Sequence, residues 1–268
     1  MQAQEQIIDR LRACCERDRR VVAAFLYGSF ATGEADALSD VECALFFDDA
    51  ALAELDRRAW VEQLAPVELW FADDFGHHTA IFERLVRGEF HFSSRHRIDE
   101  VAGWRGNAWL RSLESALLVD RTGELAAALA HLVGPPPPPA LEQVGPGLVH
   151  NFINLVLLVG NLLDRGEQAR ALDALSHVQR KLLHLARLVE GATTHWPTPS
   201  RRLEQDLTAA SYARFRSCTS RLLPDEQRSA LAAAWRWGRD LIAAVDARHP
   251  VELPPGMLDR ISDRLSGR

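Results

Sequence analysis

The 268 residues predict an α+β chain, a mixed-sheet domain followed by an all-α helical bundle. Three observations carry that prediction. Short apolar bursts alternate with helical stretches in the first half. Leucines and alanines at helical spacing fill the second, with almost no strand signal. Between the halves, Gly134 is followed by five consecutive prolines, Pro135 to Pro139, and then by Gly145-Pro146-Gly147. Proline fixes φ and lacks a backbone donor, so the run reads as a stiff, extended connector. The expected organisation is a sheet domain over 1–134, a Pro/Gly-rich linker over 135–147 and a helical bundle over 148–268.

The sheet domain opens on a helical stretch over residues 4–18. A strand is expected from Val21 to Tyr27 in VVAAFLYG, and a second from near Asp40 in DVECALFF. A helical stretch over 50–63 precedes three further β-rich bursts, PVELWFAD, TAIFERLV and ESALLVD, and 122–132 reads as helix. In the second half, Leu148 to Leu163, Ala169 to Val189, Glu226 to Ala247 and Gly256 to Leu265 are expected helices. Leu148 to Leu163 contains His150, Asn151, Asn154 and Asn161 and falls short of the ~20 apolar residues that span a bilayer. It is expected to be a buried helix, and no membrane partner is expected. The chain has no internal repeat.

Charge excludes one class of function. The 37 acidic residues oppose 31 basic ones, net −6, and Lys181 is the only lysine. A surface that holds duplex nucleic acid is normally basic, because phosphate neutralisation supplies the affinity. No nucleic-acid partner is expected, although a local anion pocket remains compatible. Cys14, Cys15, Cys43 and Cys218 form no C-x-x-C pair and have no histidine at metal-ligand spacing, so they read as reduced thiols. The charged, periodic first twenty residues lack the apolar stretch of a signal peptide. A cytoplasmic location is the expectation.

The chemistry concentrates in Tyr27-Gly-Ser-Phe-Ala-Thr-Gly-Glu-Ala-Asp-Ala-Leu-Ser-Asp-Val-Glu-Cys43. Side chains alternate along a strand, so Asp40 and Glu42 project from one face while Val41 and Cys43 point to the core. Two carboxylates held close together oppose double ionisation unless a cation neutralises them. Hard oxygen ligands suit magnesium, which binds through one or two carboxylates plus substrate phosphates. Gly28 would let a polyphosphate approach the backbone, and Ser29 adds a hydroxyl donor. Gly-Ser alone reads as a plain turn, and it is the whole constellation that points to chemistry.

Taken together, apolar-Gly-Ser, ten residues, then Asp-apolar-acid resembles the nucleotidyltransferase superfamily that includes DNA polymerase β and the antibiotic nucleotidyltransferases. Glu42 stands where many members carry aspartate. The resemblance implies a third carboxylate downstream in the sheet domain. Ile81-Phe-Glu-Arg-Leu-Val-Arg-Gly-Glu-Phe-His-Phe92 offers Glu89, with Glu83 as the competing choice. Glu89 is flanked by Phe90, with Phe92 close by, and His91 shares its face if this segment is a strand. Pressed among aromatics, its carboxylate is expected to be partly desolvated and to hold a proton more tightly, suiting it to deprotonate a hydroxyl.

The chain also resembles, over nearly its whole length, the lincosamide nucleotidyltransferases of the larger two-domain type. The resemblance rests on Tyr27-Gly-Ser-Phe, Ser39-Asp-Val-Glu42, Leu85-Val-Arg-Gly-Glu-Phe-His-Phe92, Arg165-Gly-Glu-Gln-Ala-Arg-Ala171 and Leu175-Ser176. It implies a polymerase β-like sheet domain and transfer of AMP from ATP, with magnesium, to a sugar hydroxyl of lincomycin or clindamycin. It further implies a homodimer with the active site between the domains, Asp40 and Glu42 as metal ligands and Glu89 as catalytic base and third ligand. The proline run departs from the family pattern.

Weaker candidates surround this set. Arg170, near a helix start, is a candidate phosphate ligand, and Glu167 a candidate contact to the acceptor; the alternative is a solvated loop around Gly166. Lys181 could reach a triphosphate or simply face solvent. His91 could touch the acceptor or pack in the core. His77-His78 has no acidic partner at metal spacing and reads as a surface turn. Trp70, Trp104, Trp109, Trp196, Trp235 and Trp237 are candidates to wall an amphiphilic pocket. An aminoglycoside acceptor, drawn to carboxylates such as Glu34, Asp36, Asp48, Asp49, Asp73 and Asp74, is the nearest alternative, and a nucleotidyltransferase-like toxin–antitoxin partner a more distant one.

Overall fold

A computed structural model describes residues 2–74 and 76–266. Backbone contacts divide the chain into two compact units, Met1–Pro136 and Pro137–Arg268.

The first unit runs α1 (Gln2–Arg17), β1 (Val21–Leu26), α2 (Gly28–Thr32), β2 (Val41–Phe47), α3 (Asp49–Ala53), α4 (Arg57–Val61), β3 (Val67–Ala72), β4 (His78–Phe82), β5 (Arg87–Ser94), α5 (Leu113–Ala116), β6 (Leu117–Asp120) and α6 (Glu124–Ala130). Short 3-10 turns occupy Glu83–Leu85, Arg95–Arg97 and Asp99–Trp104. The strands form one mixed sheet in the order β3-β4-β5-β2-β1-β6. Every pairing is antiparallel except β2 with β5, which is parallel.

Alternation along β2 divides its side chains between two layers. Cys43, Leu45 and Phe47 are buried on one face with Ile7, Leu11 and Cys15 of α1 and Trp60 of α4. Those α1 residues recur at helical spacing, which is why this stretch lies on the sheet as a helix. Ala44 and Phe46 turn to the other face, under Val101 and the α6 residues Leu125 and Leu129. Each large apolar side chain buried in this way contributes about 1.5–3 kcal/mol.

Two expected elements differ. The 50–63 stretch divides because Asp56 caps α4, its side chain accepting from the Ala59 N–H. TAIFERLV ends as a strand at Phe82, and the backbone turns left-handed at Arg84 and Leu85, with φ of 63° and 60°. That reversal carries no Asn-Gly or Asp-Gly signal, so sequence periodicity runs straight through it.

The second unit contains α7 (Leu141–Asp164), α8 (Gln168–Glu190), α9 (Leu203–Asp206), α10 (Ala209–Ser217), α11 (Pro224–Asp246) and α12 (Met257–Leu265). The linker expected over 135–147 is extended only as far as Ala140, because α7 begins at Leu141 and contains Pro146. An interior proline forfeits one helical hydrogen bond and costs ~3 kcal/mol. Packing outweighs that here: Leu141 and Val144 lie against the core, and Gly145 is buried where Val245 of α11 leaves little room for a side chain. With 24 residues α7 is long and apolar enough, by length and composition, to cross a membrane. Its Val149, Phe152, Ile153, Val156 and Val159 are instead buried in the core shared with α8 and α11, as expected of a buried helix. Phe152 packs where Gly238 of α11 carries no side chain. All four cysteines are buried and unpaired.

Candidate active site

The parallel pair β2/β5 sets the site. Glu42 stands opposite Glu89 and Val41 opposite Gly88, so Asp40, one residue before β2, is level with Arg87. Alternation keeps Asp40 and Glu42 on one face, as expected, and puts Arg87, Glu89 and His91 on that same face. Strands about 4.8 Å apart therefore gather three carboxylates and one guanidinium into two adjacent rows. Glu83 is exposed in the 3-10 turn after β4, which leaves Glu89 as the acid beside Glu42.

The Gly-Ser segment meets Glu42. The Tyr27 N–H donates to the Glu42 carbonyl at 3.1 Å, which ties the end of β1 to the start of β2. Gly28 then takes a φ of +65° and opens α2. A Cβ at Gly28 would overlap the Glu42 carboxylate, and the Ser29 backbone N–H donates to that carboxylate. The Gly28–Ser29 turn thus holds the Glu42 carboxylate.

Glu89 departs from its expected setting. Its Oε1 accepts from the Tyr27 hydroxyl at 2.8 Å and lies 3.0 Å from His91 Nε2, while Oε2 accepts from Arg87 at 3.0 Å. His91, with help from Tyr27 and Arg87, outweighs burial and holds the carboxyl down at about 2. The expected rise fails because neighbouring residues on a strand face opposite ways: Phe90 is buried in the layer behind the sheet, and Glu89 shares its own face with polar Arg87 and His91. The half-buried Tyr27 hydroxyl beside Glu89 is pushed well above its ordinary range by desolvation and by the Glu89 charge, and it stays a donor.

The other two acids shift oppositely. Burial raises the Glu42 carboxyl, and the charges of Glu89 and Asp40 add to the rise. Burial also raises Asp40, with Arg87 opposing at 2.9 Å between Nη1 and Oδ2. Crowded carboxylates of this kind, all hard oxygen donors, fit a magnesium ion. His77, read from sequence as part of a surface turn, belongs to the same neighbourhood: it stacks on His91 with ring centroids 3.6 Å apart, and its Nδ1 lies 3.6 Å from Asp73 and 3.8 Å from Glu89. The hairpin of β4 and β5 brings His77 level with His91, a pairing invisible to local spacing. His77, Glu89 and His91 could together hold an ion, although imidazole suits softer ions than magnesium.

Two known domains match this chain. Residues 8–98 match the nucleotidyltransferase domain, and residues 142–264 match the lincosamide nucleotidyltransferase-like, C-terminal domain. Together the two matches fit a nucleotidyltransferase of the two-domain, lincosamide nucleotidyltransferase-like type. Comparison with curated proteins returns no match. Among solved structures, an aminoglycoside 6-adenyltransferase from Bacillus subtilis aligns over 99% of this chain and 97% of its own, at 14% identity and a TM-score of 0.44. A nucleotidyltransferase-like protein from Exiguobacterium sibiricum aligns over 92% and 77%, at 12% identity and a TM-score of 0.38. Similarity that low bears on neither the site nor the substrate.

In this nucleotidyltransferase the remaining candidates sort by the element that carries them. Arg170 and Glu167 belong to the helical unit, at the turn from α7 to α8, and pair with each other at 3.2 Å. Trp235 and Trp237 are buried core residues of α11. Trp70 stacks on His78, behind the carboxylate face. Trp104 stands beside the site, packed edge-on against Tyr27 at 6.1 Å and tilted against His91 at 6.3 Å. A cavity of about 800 Å³, lined by Asp48, Arg95, Asp99, Glu124 and His131 among others, opens at the opposite ends of β2 and β5 and contains none of the three acids. Arg87 and Tyr27 join the acids here without a motif of their own to mark them. Arg87 was recoverable from strand alternation with Glu89; Tyr27 was not, since its partner lies 62 residues away.

Proposed function

We propose that this nucleotidyltransferase transfers AMP from ATP to a sugar hydroxyl of a lincosamide such as lincomycin or clindamycin, with magnesium, releasing pyrophosphate and inactivating the drug. The observation that carries this reading is the group Asp40, Glu42 and Glu89 on one sheet face, in a chain whose helical half matches the lincosamide nucleotidyltransferase-like domain. Asp40 and Glu42, with Glu89, would hold the magnesium, which when bound supplies the positive charge that offsets the polyphosphate. Glu89 is ionised at neutral pH and is thus in the form that accepts the proton of an acceptor hydroxyl. Its hold on that proton is weaker than an apolar setting would give, so alignment by Tyr27 and His91 contributes more than basicity. Tyr27, His91 and Trp104 supply an aromatic wall beside Glu89 that suits an amphiphilic lincosamide better than a polycationic aminoglycoside. Arg170 is kept as a proposed nucleotide contact and Glu167 as a proposed acceptor contact. A cytoplasmic homodimer is proposed with them.

The test is direct. Purified protein is incubated with magnesium, each of the four nucleoside triphosphates, and a panel of lincosamides and aminoglycosides. A lincosamide heavier by one AMP, seen by mass spectrometry with ATP, is the expected product. Adducts on aminoglycosides alone would transfer the proposal to that acceptor, and sedimentation of the same preparation reads the dimer.

A further inference from the structure

Arg87 sits where the three acids need a cation. Register alone puts it there: it faces Asp40 across the parallel pair and precedes Glu89 by two residues on the same face. Its guanidinium spans both, Nη1 at 2.9 Å from Asp40 Oδ2 and Nη2 at 3.0 Å from Glu89 Oε2. Among the described residues it is the cationic side chain paired with Asp40, and it joins groups from two strands with a single fork. It is also 46% exposed, so the fork is not locked in place by packing.

We propose that Arg87 is a resident counter-ion that holds Asp40 and Glu89 until a divalent cation displaces it, and then pairs with the triphosphate of the nucleotide. The proposal rests on the adenylyl-transfer reading above and assigns a role to a residue which that reading leaves without one. A divalent cation brings twice the charge of a guanidinium to the same oxygens, and the two compete for them. Once displaced, the guanidinium would remain on its strand beside those carboxylates, within reach of a triphosphate held by the same cation. Planar forked donors match phosphate oxygens as well as they match carboxylates. The exchange keeps the acids neutralised before substrate arrives and delivers a positive charge to the polyanion when it does.

This predicts effects of opposite sign from one substitution. Manganese binding to the nucleotide-free protein, followed by electron paramagnetic resonance, should tighten about fivefold or more in Arg87→Ala and Arg87→Gln, because a competing cation is gone. Affinity for a non-hydrolysable ATP analogue with magnesium should fall about tenfold in both, the usual scale of one charge-assisted contact. Arg87→Lys should recover part of each effect. The glutamine and lysine variants keep the side-chain bulk, so the comparison survives if the alanine variant folds poorly. Unchanged or weaker manganese binding in Arg87→Gln overturns the counter-ion role, and unchanged nucleotide affinity overturns the transfer to phosphate. Wild-type protein that binds neither manganese nor nucleotide would remove the adenylyl-transfer reading and this inference with it. Wild-type binding that the variants leave untouched removes this inference alone.

Discussion

The Glu42 carboxylate fills the space that a side chain at Gly28 would need, and the next backbone N–H, that of Ser29, donates to it. Gly28 is further fixed by its φ of +65°, a conformation that costs other L-residues roughly 1–2 kcal/mol. Gly28→Ala should therefore do two things. Stability should drop by about that strain, read by denaturant unfolding, and turnover should fall about a hundredfold because Glu42 is displaced by an ångström or more. An alanine variant with parental turnover would show that the position of Glu42 is unimportant.

Asp40 should be dispensable for folding and indispensable for transfer. Its bridge to half-exposed Arg87 is worth at most about 1 kcal/mol. Asp40→Asn is expected to leave the thermal midpoint within a few degrees of the parent while abolishing AMP transfer. Glu89→Gln should bind ATP normally and turn over poorly. Retained turnover in the first variant would sink the metal assignment, and in the second the role as base.

Glu42 gives the metal-free protein a pH dependence of defined sign. Its folded carboxyl lies above the ordinary value, so the native state binds more protons than the unfolded one in the window between the two. That contribution is present below the unfolded value and is lost as pH rises through the raised one. In chelator, Glu42→Gln should therefore gain midpoint relative to the parent at pH 7 and lose that advantage toward pH 4. A gain of about 1 kcal/mol corresponds to roughly 2–4 °C for chains near this size. Equal midpoints at both pH values would contradict the crowding of Glu42 by Glu89 and Asp40.

The helical unit depends on Arg187, which is completely buried. It donates to the carbonyls of Pro199, Ala192 and Arg201 and pairs with Asp206 at 2.7 Å; Asp206 also meets His195 Nδ1 at 2.6 Å. Truncation leaves Asp206 and three carbonyls without this partner. Arg187→Ala should cost about 3–5 kcal/mol of stability, measured as a shift in the denaturant midpoint. A loss below 1 kcal/mol would mean that water replaces the guanidinium.

Much of this protein is legible from local pattern, because local pattern reflects local physics. Alternation in DVECALFF and RGEFHF places Asp40 with Glu42 and Glu89 with His91, since strand geometry admits no other arrangement. Leucine spacing finds the long helices, since each must bury one stripe. The family resemblance adds the same three acids.

What the tertiary structure alone decided is which faces meet. The parallel register of β2 and β5 sets Glu42 beside Glu89 and Asp40 beside Arg87. It surrounds Glu89 with Tyr27, Arg87 and His91, which reverses the proton affinity that its aromatic neighbours in sequence suggested. The β4–β5 hairpin brings His77 onto His91, and packing against α11 carries α7 through Pro146. The physical reason is common to all four. Proton affinity, ion pairing and helix extent here follow from groups brought within a few ångströms across the sheet or bundle, and sequence neighbours on a strand lie on opposite faces.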